Sequence, residues 1–284
     1  TGQCVRACPD RMAPMAHARN VTSTGPIASR TTGQAGNRRS ERWLIAAAIV
    51  PVVGYLVTAS VRLGYPYELE WMEGGAVEWA RHVTTGDLYG PPSLDNTPWA
   101  YPPGFPAVIA LVASVTGWGF LPLRLVSVFA SVAVLVLLAA VVTQATGRRI
   151  AGVAAAGVYV VTYVPSGLAA DVGRVDSLVL ALMLLGVFAA ARARSPAAGL
   201  LVAMALAGAS ATKQTAVILA LAVCGWLVVR RRNVGFAAIG SYAVLLAVGF
   251  LAAQAWTGGW FVDYVVLLLP GHEVVARLPL GGRA

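Results

Sequence analysis

The sequence predicts an all-α, polytopic helical membrane protein. It would have about seven transmembrane helices plus a juxtamembrane or re-entrant helix in the first outer loop. Two observations carry that expectation. Hydrophobic residues make up 58% of the 284 and charged residues only 12%, whereas a soluble domain carries about 25% charged. The apolar residues also gather into long runs broken by short polar segments, the pattern of spans and their loops.

In chain order, residues 1–42 are polar, basic and rich in Gly, Ser and Thr, with no apolar core of a signal peptide. They are expected to form a disordered basic cytoplasmic tail. Residues 43–284 form the membrane domain. Its apolar runs are Trp43–Val61, Pro122–Thr146, Ile150–Ala169, Asp176–Ala191, Ala197–Ala211, Gln214–Val229 and Val234–Trp256. Several fall short of the ~20 residues a span needs and borrow flanking Gly, Ser and Thr. One more run, Phe105–Val115, lies between YPPG and TGWG inside the first outer loop, residues 62–121. It is too short to span and reads as interfacial or re-entrant. The chain begins at Thr1 and stops at GGRA without a closing helix, so the domain is expected to be C-terminally incomplete.

Sidedness follows from the arginines. If Phe105–Val115 does not cross, Arg38, Arg39, Arg42, Arg148, Arg149, Arg192, Arg194 and Arg230 to Arg232 fall inside. Only Arg62, Arg81, Arg124, Arg174 and Lys213 then fall outside before the last span ends. The inverted arrangement violates the positive-inside rule. Carboxylates go the other way: Glu68, Glu70, Glu73, Glu78, Asp87, Asp95, Asp171, Asp176, Asp263 and Glu273 are all outer. Acidic residues contribute little to orientation, so the outer face has another use for them.

The net charge of +9 comes from short clusters between spans and does not indicate nucleic acid. Cys4, Cys8 and Cys224 make no disulfide or metal framework. No zinc-type pair, nucleophile elbow, P-loop or dinucleotide fingerprint occurs.

Four outer constellations remain. In YELEWMEGG, residues 67–75, Glu68, Glu70 and Glu73 crowd the exit of the first span. Burial and like charge can tune a carboxylate to take a proton from a hydroxyl; a solvated acidic turn is the plainer reading. Three glutamates leave a divalent cation open as a cofactor, with Glu73 as supporting residue or ligand. Glu73–Val83 reads as an amphipathic helix on the membrane surface, with Val77 and Ala80 down and Glu78 and Arg81 up. DVGRVDS places Asp171, Arg174 and Asp176 in one hairpin, where they cap a helix or hold an anionic headgroup. ATKQT carries Lys213, the only lysine, beside Gln214; an outer lysine suits a phosphate or merely snorkels. His272 is a lone loop histidine near the end. Tyr101 opens the rigid Tyr101-Pro102-Pro103-Gly104 turn and is placed to line a cavity.

An acidic first outer loop, a YPP turn, an outer R-x-D hairpin and TKQ, in that order, resemble the integral-membrane glycosyltransferases of the GT-C superfamily. The nearest likeness is to the protein O-mannosyltransferase and lipid A aminoarabinose transferase group, or family 39-like enzymes. The motifs run from about Trp43 to His272, and each is short. The resemblance implies a glycosyltransferase-like domain taking sugar from a polyprenyl-phosphate-linked donor to a glycan, lipid or protein acceptor. It matches Glu68-Leu69-Glu70 to the group's acidic pair, one carboxylate serving as base, and implies Arg174 and Lys213 as phosphate partners. Tyr101, Asp176, Gln214 and His272 are candidate cavity residues. Gly104 stands where the group usually has Leu, and Glu/Glu replaces the commoner Asp-containing pair. The expected location is the cytoplasmic membrane, with the N-terminus inside and an inverting site outside. From the residues alone, a transporter or flippase of lipid-linked or small anionic substrates remains the alternative.

Overall fold

In lipid, the backbone of a spanning run is satisfied by pairing within its own helix, and the apolar runs fold accordingly. The computed structural model describes residues 31–91, 99–163, 165 and 170–268; His272 and Asp95 lie outside them. The chain divides into two units, Thr1–Ser40 and Glu41–Ala284. Of the first unit, residues 31–40 are described, and their backbone is helical.

The elements are α1 (Thr31–Leu63), α2 (Glu73–Thr85), α3 (Gly104–Thr116), α4 (Phe120–Thr146), α5 (Arg149–Val161), α6 (Val175–Arg192), α7 (Pro196–Thr212), α8 (Ala216–Arg230) and α9 (Arg232–Trp256). A short α10 (Trp260–Val262) leads into a π-helical turn, Asp263–Leu267. No strand occurs among the described residues. α1 begins at Thr31, so helical backbone reaches into the segment expected to be a tail.

Among the described residues, four helices are long and apolar enough to cross a membrane: Glu41–Leu63 with 23 residues, α4 with 27, α6 with 18 and α9 with 25. α3, α5, α7 and α8 are shorter apolar helices. α3 has 13 residues and reaches about 20 Å at 1.5 Å per residue, against ~30 Å of hydrocarbon. The protein is therefore a multi-pass helical membrane protein. The run Ile150–Ala169 carries α5. α5 ends at Val161, where the Thr162 hydroxyl bonds back to the Tyr159 carbonyl at 2.6 Å.

Short turns fold the helices back on one another. Gly147 ends α4 with φ 70° and donates its N–H to the Thr143 carbonyl, the usual glycine stop. Ser195 caps α7, its hydroxyl accepting from the Ala198 N–H, with Pro196 following. α6 packs on α4, α7 and α8, and α9 packs on α7 and α8. The core among α6–α9 centres on Val202, Leu206, Leu227 and Tyr242.

A second, aromatic core joins α2, α3 and the π-helical turn through Trp79, Trp99, Phe105, Tyr89 and Tyr264. The face of α2 bearing Val77 and Ala80 is buried while Glu78 and Arg81 stay exposed, paired at 3.0 Å. That face packs on α3 and α4, so α2 is part of the bundle and not only a surface helix. The YPPG turn is clamped by Trp99 Nε1–H to the Pro102 carbonyl (3.0 Å) and Tyr89 O–H to the Tyr101 carbonyl (2.5 Å). At Gly104 a Cβ would stand 2.5 Å from the Ala211 carbonyl oxygen. There is no room for a leucine, because α3 starts against the end of α7.

Candidate active site

The site begins with a charge at a costly place. Arg124 lies in the first turn of a 27-residue apolar helix and is fully buried. An unpaired guanidinium there would be strongly destabilising. Its Nε and Nη2 reach Glu73 Oε1 and Oε2 at 3.0 and 2.7 Å. Nη1 donates to the carbonyls of Arg62 and Tyr65, and Nη2 also to that of Tyr67. All five guanidinium N–H donors are thus matched. Glu73, also 0% exposed, accepts two further bonds, from the N–H of Leu69 (2.8 Å) and of Gly173 (3.1 Å). One ion pair thereby ties the YELE segment and the DVGR hairpin to α4.

Asp171 anchors the hairpin from the other side. It is buried, and Oδ1 accepts from Arg62 Nη1 at 3.0 Å and the Tyr163 hydroxyl at 2.7 Å. Its Oδ2 is buried without a partner. Burial pushes the Asp171 carboxyl above its ordinary range, against the pull of Tyr163 and Arg62. The preceding Ala170 carbonyl accepts the Ser131 hydroxyl of α4 at 2.6 Å.

On this frame the charged side chains form a line. Glu70 Oε1 faces Arg174 Nη1 at 3.9 Å, Arg174 Nε faces Asp176 Oδ2 at 3.5 Å, and Asp176 Oδ1 accepts from Lys213 Nζ at 2.8 Å. Lys213 Nζ also lies 5.4 Å from the centre of the Tyr101 ring. The Gln214 amide donates to the carbonyls of Ala100 and Val265, while its Oε1 is buried without a partner. Glu70, Arg174, Asp176, Lys213, Tyr101 and Gln214 therefore converge at one end of the bundle. Arg174 and Asp176 are partly open to solvent, so this line is reachable, unlike the Glu73–Arg124 pair.

Glu68 stands apart from the line, exposed in the segment that leads into α2. Its carboxylate lies over Gly74, where a Cβ would come within 2.1 Å of Oε1. Glu70 Oε2 accepts the Met72 N–H at 2.9 Å, which closes the turn leading into α2. Beside Gln214 opens a cavity of ≈ 1140 Å³, lined by Pro102, Ala207, Ala211, Leu246, Phe250 and other apolar residues between α7 and α9.

The donor set does not fit a cation among the described residues. No group of three His, Cys, Asp or Glu is placed to hold one. Both oxygens of Glu73 are already engaged by Arg124 and two amides. Glu73 holds the backbone between Glu68 and Glu70 through the Leu69 N–H.

Arg124, Arg62 and Asp171 carry this architecture, and sequence reading gave them no individual role. The available signal was cost: a charge abutting an apolar run needs a partner. Nothing in the spacing names that partner across 51 residues for Arg124 and Glu73, or 109 for Arg62 and Asp171.

No curated protein and no solved structure matches the chain. A comparison with protein-family models matches residues 99–273 to glycosyltransferase family 87. That stretch includes Tyr101, Arg124, Arg174, Asp176, Lys213 and Gln214 but begins after the three glutamates. With more than half its length matched, the chain belongs to glycosyltransferase family 87, and it is a membrane glycosyltransferase.

Proposed function

We propose that the protein transfers a sugar from a polyprenyl-phosphate-linked donor to an acceptor hydroxyl at the outer face of the cytoplasmic membrane. It would do so as a GT-C type, inverting enzyme with kinship to the family 39-like group. The line from Glu70 through Arg174 and Asp176 to Lys213, opening beside an apolar cavity, is the observation that carries this reading. A donor with an isoprenoid tail and a phosphate needs those two surfaces side by side.

Arg174 and Lys213 take the donor phosphate, and Asp176 between them sets their spacing. The tail lies between α7 and α9, past Gln214. In direct displacement the acceptor oxygen attacks the anomeric carbon from the face opposite the phosphate. The base must therefore stand away from the phosphate cations. Glu68, exposed and outside the line, takes the hydroxyl proton, while Glu70 orients Arg174. The anomeric C–O bond breaks, and polyprenyl phosphate leaves with the electron pair, its charge met by Arg174 and Lys213. No step is routed through a cation. With α3 taken to dip in without crossing and α1 and α4–α9 to cross, this end of the bundle lies outside and the N-terminus inside; the arginine distribution, not length, separates α3 from α5, which also has 13 residues.

The test is donor choice. The full chain in liposomes is given farnesyl-phosphate-linked hexoses or the corresponding nucleotide sugars, and release of farnesyl phosphate or nucleotide is followed. Turnover of the lipid-phosphate donors alone supports the reading. Turnover of nucleotide sugars would overturn it.

A further inference from the structure

The opposite end of the bundle carries a different charge pattern. Arg148 and Arg149 start α5, Arg192 and Arg194 end α6, and Arg230, Arg231 and Arg232 join α8 to α9. Between residues 41 and 268, Glu41, within α1, is the one acidic residue at this end. The helix C-termini of α4, α6 and α8 point the same way. Each contributes about half a negative charge, which seven arginines exceed. Sidedness explains arginines here, but it does not explain a cavity among them.

α6 packs against both α4 and α8, and between the C-terminal halves of these three helices lies a cavity of ≈ 950 Å³. Leu184, Val187, Val223 and Trp226 line its apolar walls, and Gln144, Arg230 and Arg231 stand at its mouth. Arg231 donates through Nη1 to the Ala193 carbonyl, which fixes its guanidinium beside the end of α6. Arg230 is exposed and makes no ion pair among the described residues.

We propose that this cavity binds one anionic phospholipid from the adjoining leaflet, its phosphate held by Arg230 and Arg231 and its acyl chains along the apolar walls. Basic pockets between helices at the membrane edge suit such headgroups. A zwitterionic lipid would bring an ammonium group into a cluster of arginines, with no carboxylate at the mouth to receive it. A soluble phosphate compound would leave the apolar walls unfilled. The site is at the far end of the helices from Glu68 and Lys213 and is independent of the reaction proposed above.

The test uses the full chain in neutral detergent, titrated with phosphatidylglycerol brominated in its acyl chains, which quenches tryptophan fluorescence on contact. The proposal expects saturable quenching that Trp226→Phe removes, with brominated phosphatidylcholine giving none at equal mole fraction. Arg230→Gln, a change at an exposed side chain, weakens the binding roughly fivefold. The double variant Arg148→Gln/Arg149→Gln, which removes more charge away from the cavity, leaves it within about twofold. Equal quenching by phosphatidylcholine would overturn the proposal, as an unspecific apolar cleft. Equal weakening by the Arg148/Arg149 variant would overturn it as a diffuse field, and displacement of the lipid by millimolar inorganic phosphate would overturn it as a plain anion site.

Discussion

Glu73 and Arg124 meet through both oxygens of one and two nitrogens of the other, and neither side chain reaches the surface. With the backbone groups around them, every guanidinium N–H has an acceptor and the carboxylate takes four bonds. Such a pair is worth little against an apolar replacement, yet it is costly to break by removing one side. Glu73→Met and Arg124→Met are each expected to lose about 3–5 kcal/mol, read as the thermal unfolding midpoint in detergent. The double variant Glu73→Met/Arg124→Met should lose less than the two singles combined. Additive losses would show that the two side chains act separately.

Gly74 offers a way to move Glu68 without altering it. A Cβ at Gly74 meets the Glu68 carboxylate at 2.1 Å, and the atom displaced is the far end of a flexible side chain. Gly74→Ala is expected to leave the melting temperature within about 2 °C, since Ala is the better helix former. Transfer should nevertheless fall by about tenfold or more, because a misplaced base is a poor base. Full activity in Gly74→Ala would mean that the position of Glu68 does not matter.

Acid should reveal Asp171. Its carboxyl is held above the ordinary 3.8 by burial, so the folded chain binds this proton more tightly than the unfolded one. Stability from this group therefore falls as pH rises from about 4 through the folded value, and it is recovered on acidification. The difference in unfolding midpoint between wild type and Asp171→Asn should move in favour of wild type as pH drops from 7 to 4. A constant difference across that range would contradict the raised value.

Sidedness has its own check. Single cysteines at Asp87, Arg148 and Lys213, on a background lacking the native cysteines, are exposed to an impermeant thiol reagent in intact cells. Labelling is expected at 87 and 213 and not at 148. Labelling at 87 and 148 but not 213 would mean that α3 crosses the membrane, and the two halves of the proposed site would lie on opposite faces.

The helices were legible because an apolar run advertises itself locally. Every run named from the sequence holds a helix, and α2 turns the predicted face inward, with Val77 and Ala80 buried. The charged line was legible only as separate motifs. Asp176 and Lys213 are 37 residues apart yet bonded at 2.8 Å, and no periodicity encodes a pairing across two helices. The burial of Glu73 was not legible for a related reason: in the sequence it is a third glutamate like its neighbours. Its burial depends on Arg124 arriving from α4. The early end of α5 was hidden because Thr162 and Tyr163 suit a helix as well as a turn.

The most direct test separates the roles of Glu68 and Glu70. Glu68→Gln and Glu70→Gln are compared for kcat and donor KM on a lipid-phosphate sugar in liposomes, with folding checked by unfolding midpoint. Glu68→Gln is expected to lower kcat by about 100- to 10,000-fold with donor KM little changed, while Glu70→Gln chiefly raises donor KM by loosening Arg174. Normal kcat in Glu68→Gln would contradict that role, and the base would have to be sought elsewhere on the face that carries Lys213.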